Sequence, residues 1–102
     1  MRSRFCAYAR GKSDYIISTT DPHGPAYEAD LLQWRSSIRV FSACTTFVGL
    51  DIVQSHAEGS DAWVTFRAML RQGNRDVSFA ERSTFVRRAK RWLYVAGQTA
   101  KR

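Results

Sequence analysis

Apolar residues recur at helical spacing through the first half of the chain and alternate through the second half, and that change of period divides the sequence. Met1, Phe5 and Tyr8 fall four and three residues apart, which predicts a short helix that Gly11 stops. Ser13 or Asp14 can cap a second short helix through Tyr15, Ile16 and Ile17. Both prolines and a glycine fall within residues 21–25 (DPHGP), the strongest loop signal in the chain. Tyr27, Leu31, Trp34, Ile38 and Phe41 then mark one face of a longer helix, with Pro25 in its first turn and Glu28 and Asp30 near its positive end. Such a stripe needs a broad surface to cover, and a sheet is the natural one.

From Thr45 onward the alternation predicts strands over 47–54, 62–71, 76–87 and 91–96, separated by turns at 57–61, 72–74 and Ala89–Lys90. Val48, Leu50 and Ile52 share a face of the first strand. Val64, Phe66, Ala68 and Leu70 share a face of the second, with Trp63, Thr65, Arg67 and Met69 opposite them. Three helices followed by four strands joined through short turns predict an α+β fold, an antiparallel meander with its helices gathered on one face. The expectation is one domain over 1–102, helices in about 1–43 and sheet in about 46–96. Strands of ten or more residues curl, and a curled sheet closed by helices encloses a cone. Val64, Phe66, Ala68, Phe79, Glu81, Ser83 and Phe85 would line that cone, with Trp34 on the helix across from them.

Composition fits this picture: 44% hydrophobic residues in 102 is enough for one core. No apolar run is long enough to cross a bilayer and the first residues lack a signal-peptide core, so no membrane partner and a cytoplasmic location are expected. Cys6 and Cys44 form no CxxC pair; two buried thiols and two surface histidines are expected, with no metal site. The net charge of +7 would allow nucleic acid, anionic lipid or an acidic protein as partner. Outside Arg87, Arg88, Lys90, Arg91 and the pair Lys101, Arg102 the positive residues are scattered, so a solvated basic surface is favoured over a nucleic-acid module.

Several segments resemble the middle domain of YchJ-like proteins, bacterial proteins in which that domain often follows a SEC-C zinc motif. They are MRSRFCAYARGKSDYIISTTDP at the start, FVGLDI, WVTFRA, the strand with Glu81, Ser83 and Phe85, and the ending with Arg91, Trp92, Tyr94 and Gly97. The resemblance covers nearly the whole chain and implies a cone-shaped fold similar to nuclear transport factor 2. The cysteine motifs usual in the family are missing, so zinc is not carried over. Ala80 stands where relatives often have a histidine, and Ala89 with Lys90 replaces a turn that often carries glycine.

Glu81, on an otherwise apolar face, is the first candidate for chemistry. A buried carboxylate gains the proton affinity that a general base needs. The structural alternative, favoured here, is an ion pair with Arg2 or Arg4 that locks the first helix to the sheet. Asp14 and Tyr15 would sit near the mouth, as a cap and a packed ring more readily than as a catalytic acid. Trp34 and Trp92 could stack on a planar ligand but more often such residues are core. The opposite sheet face, with Trp63, Arg67, Met69 and Arg82, has the mixture found in partner contacts; a homodimer through the sheet is one way to cover it and a closing C-terminal segment the other. Nucleophile elbows, phosphate-binding loops and cofactor motifs are absent from the sequence, and no cofactor is expected. The reading is a small binding module whose pocket holds a small ligand or a protein partner. An isomerase- or dehydratase-type enzyme using Glu81, or a basic nucleic-acid or ribosome-associated adaptor, stands as the alternative.

Overall fold

The computed structural model describes residues 1–99, and the basic pair Lys101 and Arg102 lies outside the described residues. Three helices, α1 (Arg2–Ala9), α2 (Ser13–Ser18) and α3 (Leu31–Cys44), precede five strands. These are β1 (Thr46–Glu58), β2 (Asp61–Gln72), β3 (Arg75–Asp76), β4 (Phe79–Arg88) and β5 (Arg91–Thr99). The antiparallel sheet runs in the order β1-β2-β4-β5, with the short β3 pairing with the end of β2. The α+β class and the helices-before-sheet order are those expected.

Local chemistry explains where the boundaries depart from the pattern. Helix α3 starts at Leu31, not near Pro25, because the Asp30 side chain accepts a hydrogen bond from Gln33 N (3.1 Å) and supplies the cap that the Pro25 segment lacks. Tyr27 stays in the loop but still packs edge-on against Trp34, with ring centroids 5.1 Å apart. The long third strand is broken in two. Asp76 Oδ1 accepts from Ser78 N (2.9 Å), and the Ser78 hydroxyl stands in the ladder against Leu70, accepting from its N–H (2.9 Å). Strand β1 carries irregularities at Val48 and Val53. Each extra residue reverses the side-chain parity, so Phe47, Leu50 and Ile52 face inward while Val48 is exposed, against the simple alternation.

The loop signal at DPHGP proves to begin with a sheet-edge cover. Thr20 bridges Tyr94 in parallel, Asp21 N donates to Tyr94 O (2.8 Å) and Tyr94 N donates to Thr19 O (2.7 Å). The β5 edge is therefore occupied along part of its length.

Buried apolar residues form two clusters. Ala7, Ile16 and Ile38 hold the three helices together, with Tyr8, Ile17 and Trp34 packed against them. Phe66, Ala68 and Leu70 hold the sheet side, with Phe5, Phe41, Phe47 and Leu50 among their neighbours. A run of edge-to-face rings, Phe5–Phe47 (5.5 Å), Phe47–Phe41 (5.8 Å) and Phe41–Tyr8 (6.0 Å), joins α1, β1 and α3 where the clusters meet. The α3 stripe thus reaches the sheet mainly at its Phe41 end, while Ile38 and Trp34 pack on the other helices. Cys6 and Cys44 are exposed, not buried as expected: Cys6 lies off the Arg4–Ala7–Tyr8 face of α1 and Cys44 ends α3. Among the described residues, no helix is long and apolar enough to cross a membrane.

The β4–β5 turn uses Ala89 (φ 50°) and Lys90 (φ 68°) in the left-handed region, where side chains with a Cβ are strained. Two-residue hairpins of this hand favour Asn-Gly. Replacing Ala89→Asn together with Lys90→Gly is expected to raise stability by about 1 kcal/mol, or roughly 4–8 °C in Tm. Thermal unfolding followed by circular dichroism checks this, and an unchanged Tm would show that the turn stores no strain.

Candidate functional site

A cavity of about 360 Å³ lies between the two clusters, bounded by α1, α3 and the inner face of the sheet. Phe5, Ile38, Phe41, Leu50, Phe66, Ala68 and Leu70 make its apolar walls. It opens between α3 and the start of β4, where Ser37 and Phe79 are exposed. Arg4, Tyr8, Glu81 and Tyr94 form the polar part of the lining.

Arg4 is 6% exposed, and among the described residues no acid lies within ion-pair distance of it. Its Nη1 donates to Ile16 O (3.2 Å), Thr19 Oγ1 (2.7 Å) and Thr20 Oγ1 (3.3 Å), so the charge is met by the carbonyl end of α2. Its guanidinium carbon lies 4.5 Å from the centre of the Tyr94 ring. Glu81 Oε2 accepts from Ser83 Oγ (2.6 Å) and Tyr94 OH (3.2 Å). Among the described residues no arginine lies within ion-pair distance of Glu81, and Arg2 is exposed. The expected Glu81–arginine pair is corrected: Tyr94 stands between them, its ring against Arg4 and its hydroxyl on Glu81. Helix α2 takes the guanidinium because its free carbonyls and two threonine hydroxyls offer three acceptors at once.

Gly97 faces Ser83 across β4 and β5. A Cβ there would overlap the Glu81 carboxyl group and the Tyr94 hydroxyl, so the missing side chain is the space they occupy. Burial, reinforced by the neighbouring Glu81 charge and hydrogen bond, holds the Tyr94 phenol well above its ordinary value of 10.0. Burial likewise raises Tyr8, and Arg4 opposes that rise. Both phenols keep their protons across the physiological range.

The other expected residues are distributed more widely. Phe66, Ala68, Phe79 and Trp34 line this cavity, whereas Ser83 is fully buried behind Glu81. Val64 and Phe85 line a second, wider hollow of about 670 Å³, bounded by Met1, Tyr15, the β1–β2 hairpin and Trp92. Tyr15 is there too, donating to Ser3 Oγ (2.8 Å), away from Glu81. Asp14 does not cap α2; it pairs with Arg35 (2.9 Å) and ties α2 to α3. Arg67 and Arg82 are exposed on the outer face of the sheet, with Trp63 and Met69 half-buried among them. Tyr8, Tyr94 and Gly97 had no place in the predicted site. Tyr8 lies four residues after Arg4, on the same helix face, which was the available signal.

Residues 1–97 match the family described as "YchJ, middle NTF2-like domain". A UPF0225 protein of Serratia proteamaculans is 37% identical over 102 residues, covering 95% of this chain and 62% of the relative. Another, from Polaromonas naphthalenivorans, is 34% identical and covers 95% and 65%. The chain thus spans less than two thirds of these relatives. Among solved structures, a SEC-C motif-containing protein from Rhodopseudomonas palustris superposes with a TM-score of 0.83 at 32% identity, over 99% of this chain and 76% of that one. A sec-c motif-containing protein from Psychrobacter arcticus gives 0.72 at 24% identity, over 100% and 59%, and supports the fold.

Gly97→Ala is expected to lower stability by about 1 kcal/mol, since hydrogen bonds to a carboxylate worth about 1.5–3 kcal/mol are disturbed while Gly→Ala in a strand returns about 0.5–1. In a background carrying both Glu81→Ala and Tyr94→Phe, which removes every atom that a Cβ there would overlap, the same change should be neutral or stabilising, measured by urea unfolding. A second outcome concerns alkali. The folded protein keeps the Tyr94 and Tyr8 protons where the unfolded chain releases them, so stability is intact below pH 10 and falls as pH rises above it. Unfolding measured across that range should show a shallower fall in Tyr94→Phe.

Proposed function

The chain belongs to the YchJ middle-domain family, and from that premise we propose a small binding module whose cavity holds a compact ligand with an apolar body and a hydrogen-bond-donating head. The observation carrying the reading is a largely apolar cavity with its polar groups supplied by Arg4, Tyr8, Glu81 and Tyr94. Its volume of about 360 Å³ suits a one- or two-ring molecule. Arg4 and Glu81 offset each other in charge, which favours a neutral ligand. Glu81 Oε2 is taken by Ser83 and Tyr94, while Oε1 has no hydrogen-bond partner among the described residues and can accept from a hydroxyl or amide N–H.

A second reading, an isomerase- or dehydratase-type enzyme with Glu81 as base, draws on that same oxygen. Binding ranks first because the polar groups are committed to one another: Glu81 Oε2 accepts from Ser83 and Tyr94, and Arg4 donates to the end of α2.

The test uses 1-naphthol, 4-alkylphenols and short aliphatic amides as probes, read by changes in backbone amide chemical shifts. Binding of at least one class is expected, weakened about tenfold by Ala68→Leu, which fills the cavity, and less by Glu81→Gln. No shift with any probe, or binding indifferent to both substitutions, would sink the proposal. Deuterium exchange into the α-position of a bound ketone such as 1-tetralone, lost in Glu81→Gln, would favour the enzyme instead.

A further inference from the structure

The wider hollow of about 670 Å³ differs in chemistry from the first cavity, and we infer that it binds a planar aromatic acid, with the ring system among exposed aromatic side chains and the carboxylate on Arg91. Three phenylalanine, tyrosine or tryptophan rings are exposed among the described residues, and two of them, Tyr15 (40%) and Trp92 (39%), line this one hollow. Phe85 and Val64 add apolar wall from β4 and β2. Register accounts for the gathering. Phe85 pairs with Tyr94 and Arg87 with Trp92, so the inner row of the β4–β5 hairpin runs on past Phe85 to Trp92, and α2 brings Tyr15 to the same end of the sheet. Large rings exposed together around a concavity mark a binding surface, and a flat apolar body covers them best.

Arg91, the first residue of β5, is exposed and makes one long contact, Nη2 to Ser18 O at 3.5 Å. Among the described residues it joins no ion pair, so most of its planar fork is open to a carboxylate. Ser3 adds a second donor from α1. Its Oγ accepts from Tyr15 OH (2.8 Å), which leaves its own hydrogen without an acceptor among the described residues. Arg87 stands beside the hollow with its guanidinium carbon 5.6 Å from the Trp92 ring centre, a second cation at the same end.

Charge selects an anion, because no carboxylate lines this hollow. The acids of the flanking segments are engaged or face elsewhere. Asp14 pairs with Arg35 (2.9 Å) and Asp21 with Arg88 (3.5 Å). Glu58 and Asp61 oppose each other two residues beyond the His56–Trp63 pair, on the outer side of the sheet, where they line a separate hollow with Thr84 and Val86. Glu81 lines the first cavity, where it offsets Arg4, and the Arg4 guanidinium is held by the end of α2. Arg91 and Arg87 are the charges left, and an acid balances them where an amide or an amine does not. The first cavity, with its open Glu81 oxygen, favours a neutral hydrogen-bond donor, so the two sites sort ligands by charge.

Titration with 2-naphthoate, 2-naphthamide and 2-naphthylmethylammonium, read by backbone amide chemical shifts, tests this. Shifts from 2-naphthoate should centre on residues 15–19 and 91–92, and fitted there the acid should bind about tenfold more tightly than the amide, with the amine weakest. Arg91→Gln, at an exposed position, should weaken the acid about tenfold and leave the amide within about twofold. Trp92→Leu should weaken the acid about fivefold. Arg10→Gln, the same charge loss at an exposed position outside the hollow, should stay within about twofold of the unaltered chain, and so should Ala68→Leu, which fills the first cavity. Absence of binding, or an acid bound no better than its amide, would overturn the proposal. Equal weakening by Arg10→Gln and Arg91→Gln would reduce the effect to net charge and overturn it as well. Shifts confined to the first cavity and lost in Ala68→Leu would move the acid to that site, against both this inference and the neutral ligand proposed there, whereas failure of the neutral probes alone would leave this inference standing.

Discussion

Arg4 is a buried cation whose charge is met by backbone carbonyl and threonine hydroxyl groups at the end of α2 in place of an acid. Removing a guanidinium from water costs several kcal/mol unless acceptors replace the water, and here Ile16 O, Thr19 Oγ1 and Thr20 Oγ1 share the two hydrogens of Nη1. That requirement fixes much of the layout. Helix α2 has to end where Ile16, Thr19 and Thr20 surround the guanidinium, and α1 has to cross it there. The threonines are held as acceptors by their own donation to the helix, Thr19 Oγ1 to Tyr15 O (2.7 Å) and Thr20 Oγ1 to Ile16 O (2.7 Å). The same Thr19–Asp21 segment then pairs with Tyr94, which brings β5 and its tyrosine ring onto Arg4.

Tyr94 passes the constraint on to the cavity. Its ring is fixed by Arg4 and its hydroxyl reaches Glu81, which can rise into the gap left by Gly97. Glu81 is therefore placed without a cationic partner of its own, and its burial is made tolerable by Ser83 and Tyr94. On the other side, the run of rings from Phe5 through Phe47 and Phe41 to Tyr8 props α3 against β1 at one end only. The cavity is the space left between these two supports.

Periodicity made the architecture legible: three helices, the meander, and the inward row Phe66, Ala68 and Leu70 follow from spacing alone. The site was legible only in part. Parity placed Glu81 on the inner face, but it could not say which charge would meet it, because an arginine can be satisfied equally by an acid or by a helix end. Val48 was misassigned for a similar reason. A single extra residue in β1 reverses the alternation, and nothing in the apolar pattern marks where it falls. Val64 and Phe85 share a face with Phe66, yet they line a different hollow, since parity fixes a side of the sheet and not a position along it. Tyr94 was hidden by the irregularity between Thr84 and Phe85, which sets it opposite Phe85 and aims it inward.

The two faces of the sheet divide the chain's charge. Inside, Arg4 and Glu81 offset each other, so the cavity contributes nothing to the net +7. The basic composition therefore carries no information about the ligand of the cavity, whose walls select for shape and a hydrogen-bond donor. On the outer face of the sheet Arg67, Arg71 and Arg82 share adjacent strands with Asp51, Glu58, Asp61 and Asp76. Sheet geometry makes this separation inescapable: with a period of two, the residues that build the apolar wall at Phe66 and Ala68 force their neighbours Thr65 and Arg67 into solvent. One strand thus supplies both the dry lining of a small-molecule cavity and the charged rows of an external surface, and a change on either face leaves the other free to act.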